Sequence, residues 1–511
     1  MDSFRNVLSS LCLIAAIISH AQTQPNVLVI YTDDHRYSGV HALGGMQVKT
    51  PNMDQLAAEG ITFTNAFLMG AFSGATCIPS RAMLLTGRNL FELKGAGHQI
   101  PTTHTTMGEV FHQEGYNTYM VGKWHQDNAS LARSFENGAR VMSRGVYLVD
   151  HFRMPLWDWE KDGNYQKEDG YLITYDENRN EIRRPLTQDD QRGPTGTEAD
   201  GPHTSEVFAQ AAIDYIQNYK KKQPFMMYLA FHAPHDPRQA PQRFKDMYPI
   251  DSIILTPSYL PQHPFDNGHI VLRDEELAPW PRTPEIAKQQ LSDYYAIISH
   301  LDEQIGAVIQ ALKESGQYQN TLIVFAGDSG LGVGNHGLLG KQNIYDEDGV
   351  HIPFILSGGA IPQKGHLLDA FCYTHDILPT VLDLVNIDPP TSVTGRSLVP
   401  AINGDANQIR SYTYHAYRQH QRAYREGDFK LIEYVRAKDA SKKDGEFISG
   451  SRVTQLFNIR EDPWETLNLA DFPDYKAKVS ELRVKLKSVA SQLNDNNETV
   501  LQSYDFWDYY E

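Results

Sequence analysis

The chain has 511 residues, 41% hydrophobic, 11% aromatic and 21% charged, with a formal net charge of −17. That length exceeds one ordinary domain and predicts a large core with a smaller unit attached. The acidic balance argues against sequence-independent nucleic-acid binding, which needs a basic footprint, but leaves room for an anionic small substrate in a local Lys/Arg/His pocket.

The first segment reads as a secretory signal. Arg5 precedes the apolar run Val7 to Ile18, which is too short to span a bilayer. Ser19 and Ala21 occupy the −3 and −1 positions of a cleavage site before Gln22. Residues 1–21 are therefore expected to be removed, leaving a secreted or periplasmic protein. Cys12 would leave with them. Cys77 and Cys372 remain, which allows one disulfide but no framework.

Four apolar runs then end in polar clusters. "NVLVIYTDDHR" ends in Asp33 and Asp34, and "YNTYMVGKWHQ" in Lys123 and His125. "PFMMYLAFHAPHDP" ends in His232 and His235, and "NTLIVFAGDSG" in Asp328 and Ser329. Such runs suit strands buried on both faces. Helical patterns separate them. "TPNMDQLAAEG" has Thr50 as N-cap, Pro51 at the first helical position and Gly60 as the stop. Ile297, Leu301, Ile305, Val308 and Leu312 share one helix face. Alternating strands and helices predict a large, mostly parallel sheet sandwiched by helices, with ligands at the carboxyl ends of the strands.

In "SGATCIPSRAMLLTGRNL", Pro79 fits a first helical turn and Gly87 a stop. Cys77 then lies at a helix N-terminus, where the dipole favours negative charge and can activate a thiol. The plainer alternative is a small buried hydrophobe.

Past "PPTSVTGRSLVPAINGD", Pro389 to Asp405, short alternating runs predict an antiparallel sheet. A helix follows, with Val479, Leu482, Leu486, Val489 and Leu493 on one face. The expected fold is thus an α/β catalytic domain over 22–400 and a smaller antiparallel sheet plus helix over 401–511. Two further stretches read as insertions, "YLVDHFRMPLWDWEKDGNYQKEDGYLITYDENRNEIRRP" and "YPIDSIILTPSYLPQHPFDNG". Trp157 and Trp159 in the first could stack on sugar rings or pack inside. His415, Arg418, His420 and Arg422 suit an ordinary exposed polar sheet face; the family resemblance described below would instead bring them near a substrate rim.

Asp33, Asp34 and Asp328 would repel one another if left bare. A hard divalent cation resolves this, and Ca²⁺ accepts such oxygen ligands. Lys123, His125, His235 and Lys341 could hold a tetrahedral oxyanion and move protons.

At these residues the sequence resembles the formylglycine-dependent sulfatases of the alkaline phosphatase superfamily. Their Cys-x-Pro-Ser-Arg and Thr-Gly-Arg signature reads Cys77-Ile78-Pro79-Ser80-Arg81 and Thr86-Gly87-Arg88 here. "GYNTYMVGKWH", "YLAFHAPHDP", "GNHGLLGKQNIYD" and "QLFNIREDPWETLNLA" extend the resemblance along nearly the whole chain. It implies that a maturation enzyme converts Cys77 to formylglycine (3-oxoalanine), whose hydrate attacks sulfur. It further implies that Arg81 stabilises the diol, and that Asp33, Asp34, Asp328 and the modified Cys77 ligate one Ca²⁺. Lys123 and Lys341 would bind sulfate, with His125 as base and His235 as leaving-group acid. The chain departs from the pattern at Ser329, where the fourth protein ligand is usually Asn or His, and at Tyr345-Asp346 and His351, which could reshape the pocket. The resemblance is closest to secreted bacterial polysaccharide sulfatases. A sulfated glycan is the expected substrate, with an algal one such as ulvan or carrageenan as the narrower expectation and His415, Arg418, Trp157 and Trp159 as its contacts. The alternatives are a phosphonate monoester or phosphodiester hydrolase, or a catalytically silent glycan-binding relative.

Overall fold

The computed structural model describes residues 24–142, 150–187, 190, 196–361, 364–436, 451–495 and 506–510. The expected signal segment lies outside them. In chain order the strands are β1 (Asn26–Thr32), β2 (Ile61–Phe63), β3 (Ala66–Phe67), β4 (Gly70–Ala71), β5 (Asn117–Lys123), β6 (Asn137–Met142), β7 (Tyr171–Tyr175), β8 (Glu181–Pro185) and β9 (Phe225–Ala230). They continue as β10 (Thr321–Gly327), β11 (Phe354–Ser357), β12 (His366–Leu368), β13 (Cys372–Tyr373), β14 (Tyr412–Tyr417), β15 (Gln421–Glu426), β16 (Phe429–Arg436) and β17 (Ser451–Asn458).

The large sheet has the order β12-β2-β11-β10-β1-β9-β5-β6. The block β10-β1-β9-β5-β6 is parallel throughout. Only β11 runs against its neighbours. Every residue of β1 is buried, and its alternation feeds two cores. Leu28 and Ile30 face the long helix Pro284–Glu314, whose Ile297, Leu301, Ile305, Val308 and Leu312 are all fully buried. Val27, Val29 and Tyr31 face the other side, with Leu84, Leu85, Ile377 and Val381. Strand runs without polar positions therefore form a sheet covered on both faces, as the pattern predicts.

The smaller sheet has the order β17-β16-β15-β14-β4. Its C-terminal strands pair antiparallel, and the helix Lys476–Gln492 buries Val479, Leu482, Leu486 and Val489 against it. Its last strand comes from the N-terminal part of the chain. β4 pairs parallel with β14, placing Gly70 beside Ala416 and Ala71 beside Tyr417. The chain reaches Cys77 six residues after Ala71. Among the described residues no helix is long and apolar enough to cross a membrane.

Candidate active site

The four polar clusters emerge from adjacent strands, in the order β10, β1, β9, β5, at their carboxyl ends. The helix Cys77–Thr86 presents its N-terminus to them and ends at Gly87, whose φ of 61° suits a glycine stop. Two non-glycine residues here adopt left-handed backbone, Asp34 (φ 61°) and His125 (φ 81°). Strain of this kind persists where surroundings over-determine a conformation, commonly at functional sites.

Three carboxylates meet three cations in a nearly water-free space. Asp33 Oδ2 accepts from Lys123 Nζ and from His232 Nδ1 at 3.0 Å. Asp34 Oδ1 accepts from Lys341 Nζ and from Ser329 Oγ at 3.2 Å. Asp328 Oδ2 accepts from Arg81 Nη2 at 3.0 Å, and its Oδ1 from the Asp34 amide at 2.8 Å. Arg81 is immobilised further by the Lys123 carbonyl, the Tyr228 hydroxyl and the face of Tyr31. Cys77 Sγ lies 3.4 Å from His125 Nδ1 and 4.0 Å from Lys123 Nζ.

The electrostatics are strained in a particular direction. Burial raises Asp33, but Lys123, His235 and Arg81 outweigh it and hold that carboxyl well below its usual range. Burial lifts Asp34 to about 6 despite Lys341. Asp328 is pushed well above the carboxylate range by burial and the charge on Asp33. Burial pushes the Cys77 thiol up to about 12, against the pull of Lys123 and Lys341. His125 and His235 are held well below the usual imidazole value by burial, with help from Lys123 and Lys341 respectively.

A divalent cation fits this arrangement. Ligand atoms of Asp33, Cys77 and Asp328 lie within 4.8 Å of one another, as do those of Asp33, Asp34 and His235. Asp33 Oδ1 is buried with no hydrogen-bond partner, which a hard cation would supply. Ser329, the departure from the expected ligand type, has its hydroxyl inside the cluster.

The remaining expectations divide. His235 sits at the rim of the cluster, its Nε2 3.7 Å from Asp34 Oδ2. Arg418 is half-buried at the β14–β15 turn in a left-handed conformation (φ 43°) and reaches His269 Nε2 at 3.2 Å. His269 in turn overlies Gly74, three residues before Cys77. His415 must be withdrawn as a substrate contact. The strand alternation turns it inward, where its Nδ1 donates to the Leu68 carbonyl and its ring packs on Phe67 and Tyr373. Trp157 must be withdrawn too. It is 3% exposed, pairs with Val141 at the sheet edge and donates Nε1–H to the Gln166 carbonyl. Trp159 packs partly buried against the same core, close over Gly138. The insertion's aromatics seal the β6 edge.

His351 and Tyr345-Asp346 do not reshape a pocket either. His351 stacks between Tyr37 and Phe67, Tyr345 stacks on His336, and Asp346 pairs with Lys430 and Arg425 of the smaller sheet. Cys77 and Cys372 are both free and buried, so the disulfide does not form.

Sequence reasoning missed a belt of polar side chains around the rim. His235 Nδ1 donates to the Asp236 carbonyl at 2.7 Å. Arg273 grips the Asp236 carboxylate with two bonds of 2.9 Å and also donates to Asp274. Gln342 Nε2 joins Asp274 to the Gly74 carbonyl. Asp236 was visible beside His235, but no periodicity marks Arg273.

Comparison with known proteins gives the family. The sulfatase family profile matches residues 25–387, and the profile described as N-sulphoglucosamine sulphohydrolase, C-terminal, matches 334–492. The chain is 28% identical over 484 residues to an ulvan-active sulfatase of Formosa agariphila, covering 93% of this chain and 82% of that one. It is 27% identical over 526 residues to an N-acetylglucosamine-6-O-sulfatase of Bacteroides thetaiotaomicron, covering 94% and 89%. A solved structure in complex with its substrate D-glucosamine-2-N,6-O-disulfate superposes with a TM-score of 0.70 at 22% identity, covering 94% of this chain and all of that one.

Proposed function

Because the chain belongs to the sulfatase family and is a sulfuric ester hydrolase, we propose that it removes sulfate from a sulfated poly- or oligosaccharide, using formylglycine made from Cys77 and one bound Ca²⁺. The observation that carries this reading is the convergence of Cys77, three carboxylates and three cations at the ends of four adjacent strands. The names of the ulvan-active and N-acetylglucosamine-6-sulfate-active relatives support a glycan, and the former supports an algal one. A secreted or periplasmic location and a separate maturation enzyme complete the reading.

Cys77 Sγ marks the place of the nucleophilic oxygen. The hydrated aldehyde would supply that nucleophile; Asp33, Asp34, Asp328, Ser329 and the modified residue would hold the divalent cation, which would supply Lewis-acid polarisation. The protein's own groups do the rest. Once a bound cation keeps all three ionised, Asp33, Asp34 and Asp328 would offset Lys123, Lys341 and Arg81 charge for charge. A dication therefore leaves the site positive and ready for a sulfate monoester. Arg81, locked by four partners, fixes the nucleophile's side of the site. Lys123 and Lys341 neutralise charge on the sulfate oxygens. His125, 3.4 Å from the position of Sγ, holds or takes the proton at that atom. His235 delivers a proton to the leaving oxygen. A bound sulfate's negative charge opposes the lowering that burial imposes on that imidazole. Arg418, at the rim, contacts the sugar.

The test is protein from a host containing the maturation enzyme, assayed for sulfate release from a panel of sulfated oligosaccharides, with paired aryl sulfate and aryl phosphonate alongside. Sulfate release from a glycan is expected. Preferential phosphonate cleavage would move the assignment to a phosphonate hydrolase. Glycan binding without turnover would make it a silent relative. Aryl sulfate hydrolysis with every glycan ignored would overturn the carbohydrate assignment.

A further inference from the structure

We infer that Arg273 is a positioning residue for the reaction, holding the leaving-group acid in its working orientation through Asp236. The inference rests on the assignment of His235 proposed above.

The carbonyl of Asp236 can only accept, so His235 carries its hydrogen on Nδ1, and Nε2 is the nitrogen turned to the carboxylate cluster. The orientation of the ring therefore depends on where Asp236 is held. That residue's carboxylate lies 3.3 Å from the same Nδ1, and both its oxygens are taken by the planar fork of Arg273 at 2.9 Å. A bidentate guanidinium–carboxylate pair fixes direction as well as distance. Arg273 does not stop at Asp236. Its Nε and Nη2 also bind Asp274 Oδ1 at 2.9 and 2.6 Å. Asp274 Oδ2 takes Gln342 Nε2 at 2.8 Å, and that amide also donates to the Gly74 carbonyl at 2.9 Å. One guanidinium thus joins the loop of the acid to the loop of Lys341 and to the turn that leads into Cys77.

Burial sharpens the dependence. Asp236 and Asp274 are 7% and 5% exposed, while the Arg273 side chain is half exposed at the mouth. Removing Arg273 leaves two mostly buried carboxylates competing for what remains, with Lys341 within reach of the charge on Asp274. The loop carrying His235 loses its outer anchor, though the histidine itself remains. His151 still holds the His235 carbonyl from the other side at 2.9 Å, so the expected result is a misplaced ring in a folded protein.

The experiment compares 4-nitrophenyl sulfate, whose leaving oxygen needs little protonation, with phenyl sulfate, whose leaving oxygen needs more. A misplacement of about 1 Å can cost about 100-fold, so Arg273→Gln should lower kcat on phenyl sulfate by that order. The loss on 4-nitrophenyl sulfate should be at least several times smaller, and KM should move little on either. Asp236→Asn should show the same selectivity. Arg273→Lys keeps the charge without the fork and should show it in smaller measure; it also serves if the glutamine variant fails to fold. His235→Ala on the same pair separates the two claims. A flat His235→Ala response sinks the assignment of the acid itself, and the inference with it. A selective His235→Ala beside equal losses on both substrates in Arg273→Gln and Arg273→Lys sinks the positioning role alone.

Discussion

Cys77 shows how burial can reverse an expectation drawn from local sequence. A helix N-terminus favours a thiolate, yet here desolvation wins and lifts the thiol to about 12. Burial thus favours the neutral thiol of the unmodified cysteine, which agrees with its proposed role as a precursor. Mass spectrometry of the tryptic peptide ending at Arg81, from fully active protein, should find the aldehyde form; a persistent thiol there would end the proposal. Ser329 gives a second prediction. Its hydroxyl lies 3.2 Å from Asp34 Oδ1, so Ser329→Asn places a carbonyl oxygen in the same cluster. Calorimetric titration with Ca²⁺ should show affinity kept or tightened, and a large loss would remove Ser329 from the ligand set. Asp33, Asp34, Lys123, His125, Asp328 and Ser329 were legible in the sequence because each follows a buried apolar strand, where chemistry collects in such sheets. Arg273, Asp274 and His269 were not. They come from stretches with no periodic pattern, and only the folded chain brings them to Gly74 and Asp236.

At the scale of elements, the four long buried strands were readable as apolar runs, and the helices Pro284–Glu314 and Lys476–Gln492 from their period, whereas the helix Thr204–Asn218 was not read. The short strands β2, β11 and β12 were not readable, because three or four residues carry too little pattern. The stretch Pro389 to Asp405, which reads as a linker, runs over the surface and is tied down near its middle. Asp376, fully buried, accepts from Arg410 at 2.5 and 2.7 Å and from the Arg396 amide at 2.8 Å, fastening Arg396 within that stretch and Arg410 just beyond it to the start of the helix Ile377–Leu384. Burial works to raise the Asp376 carboxyl, but Arg410, His375 and these hydrogen bonds keep it below the usual carboxylate range. Its stabilising contribution is therefore complete above the unfolded value of about 3.9 and is lost as pH falls through the lower folded value. Asp376→Asn should cost about 3 kcal/mol at neutral pH. The difference in Tm from the unsubstituted protein should shrink as pH is lowered below about 4. A gap independent of pH would show that the charge is not what stabilises.

At the scale of the molecule, two cores lie on the faces of the large sheet and a third under the small one. The sequence divides at about residue 400, and we propose that boundary for the two units. It does not mark an independent piece. β4 is inserted beside β14, and Asp346 of the catalytic part is gripped by Lys430 and Arg425 of the small sheet. Neither link was visible in the sequence, since β4 is two residues long and nothing in the acidic run Asp346-Glu347-Asp348 points to Lys430 or Arg425. Both predict one cooperative calorimetric transition, whereas two well-separated transitions would show units that fold apart.

The pairing of Ala71 with Tyr417 also sets a clock. The turn that carries Cys77 is completed by a strand that leaves the ribosome ~340 residues later. At synthesis rates of about 5–20 residues per second that interval is roughly 20–70 s. In the finished protein Cys77 is 1% exposed. On the proposed reading of Cys77 as a precursor, that interval is how long the segment leading to it lacks its β14 partner.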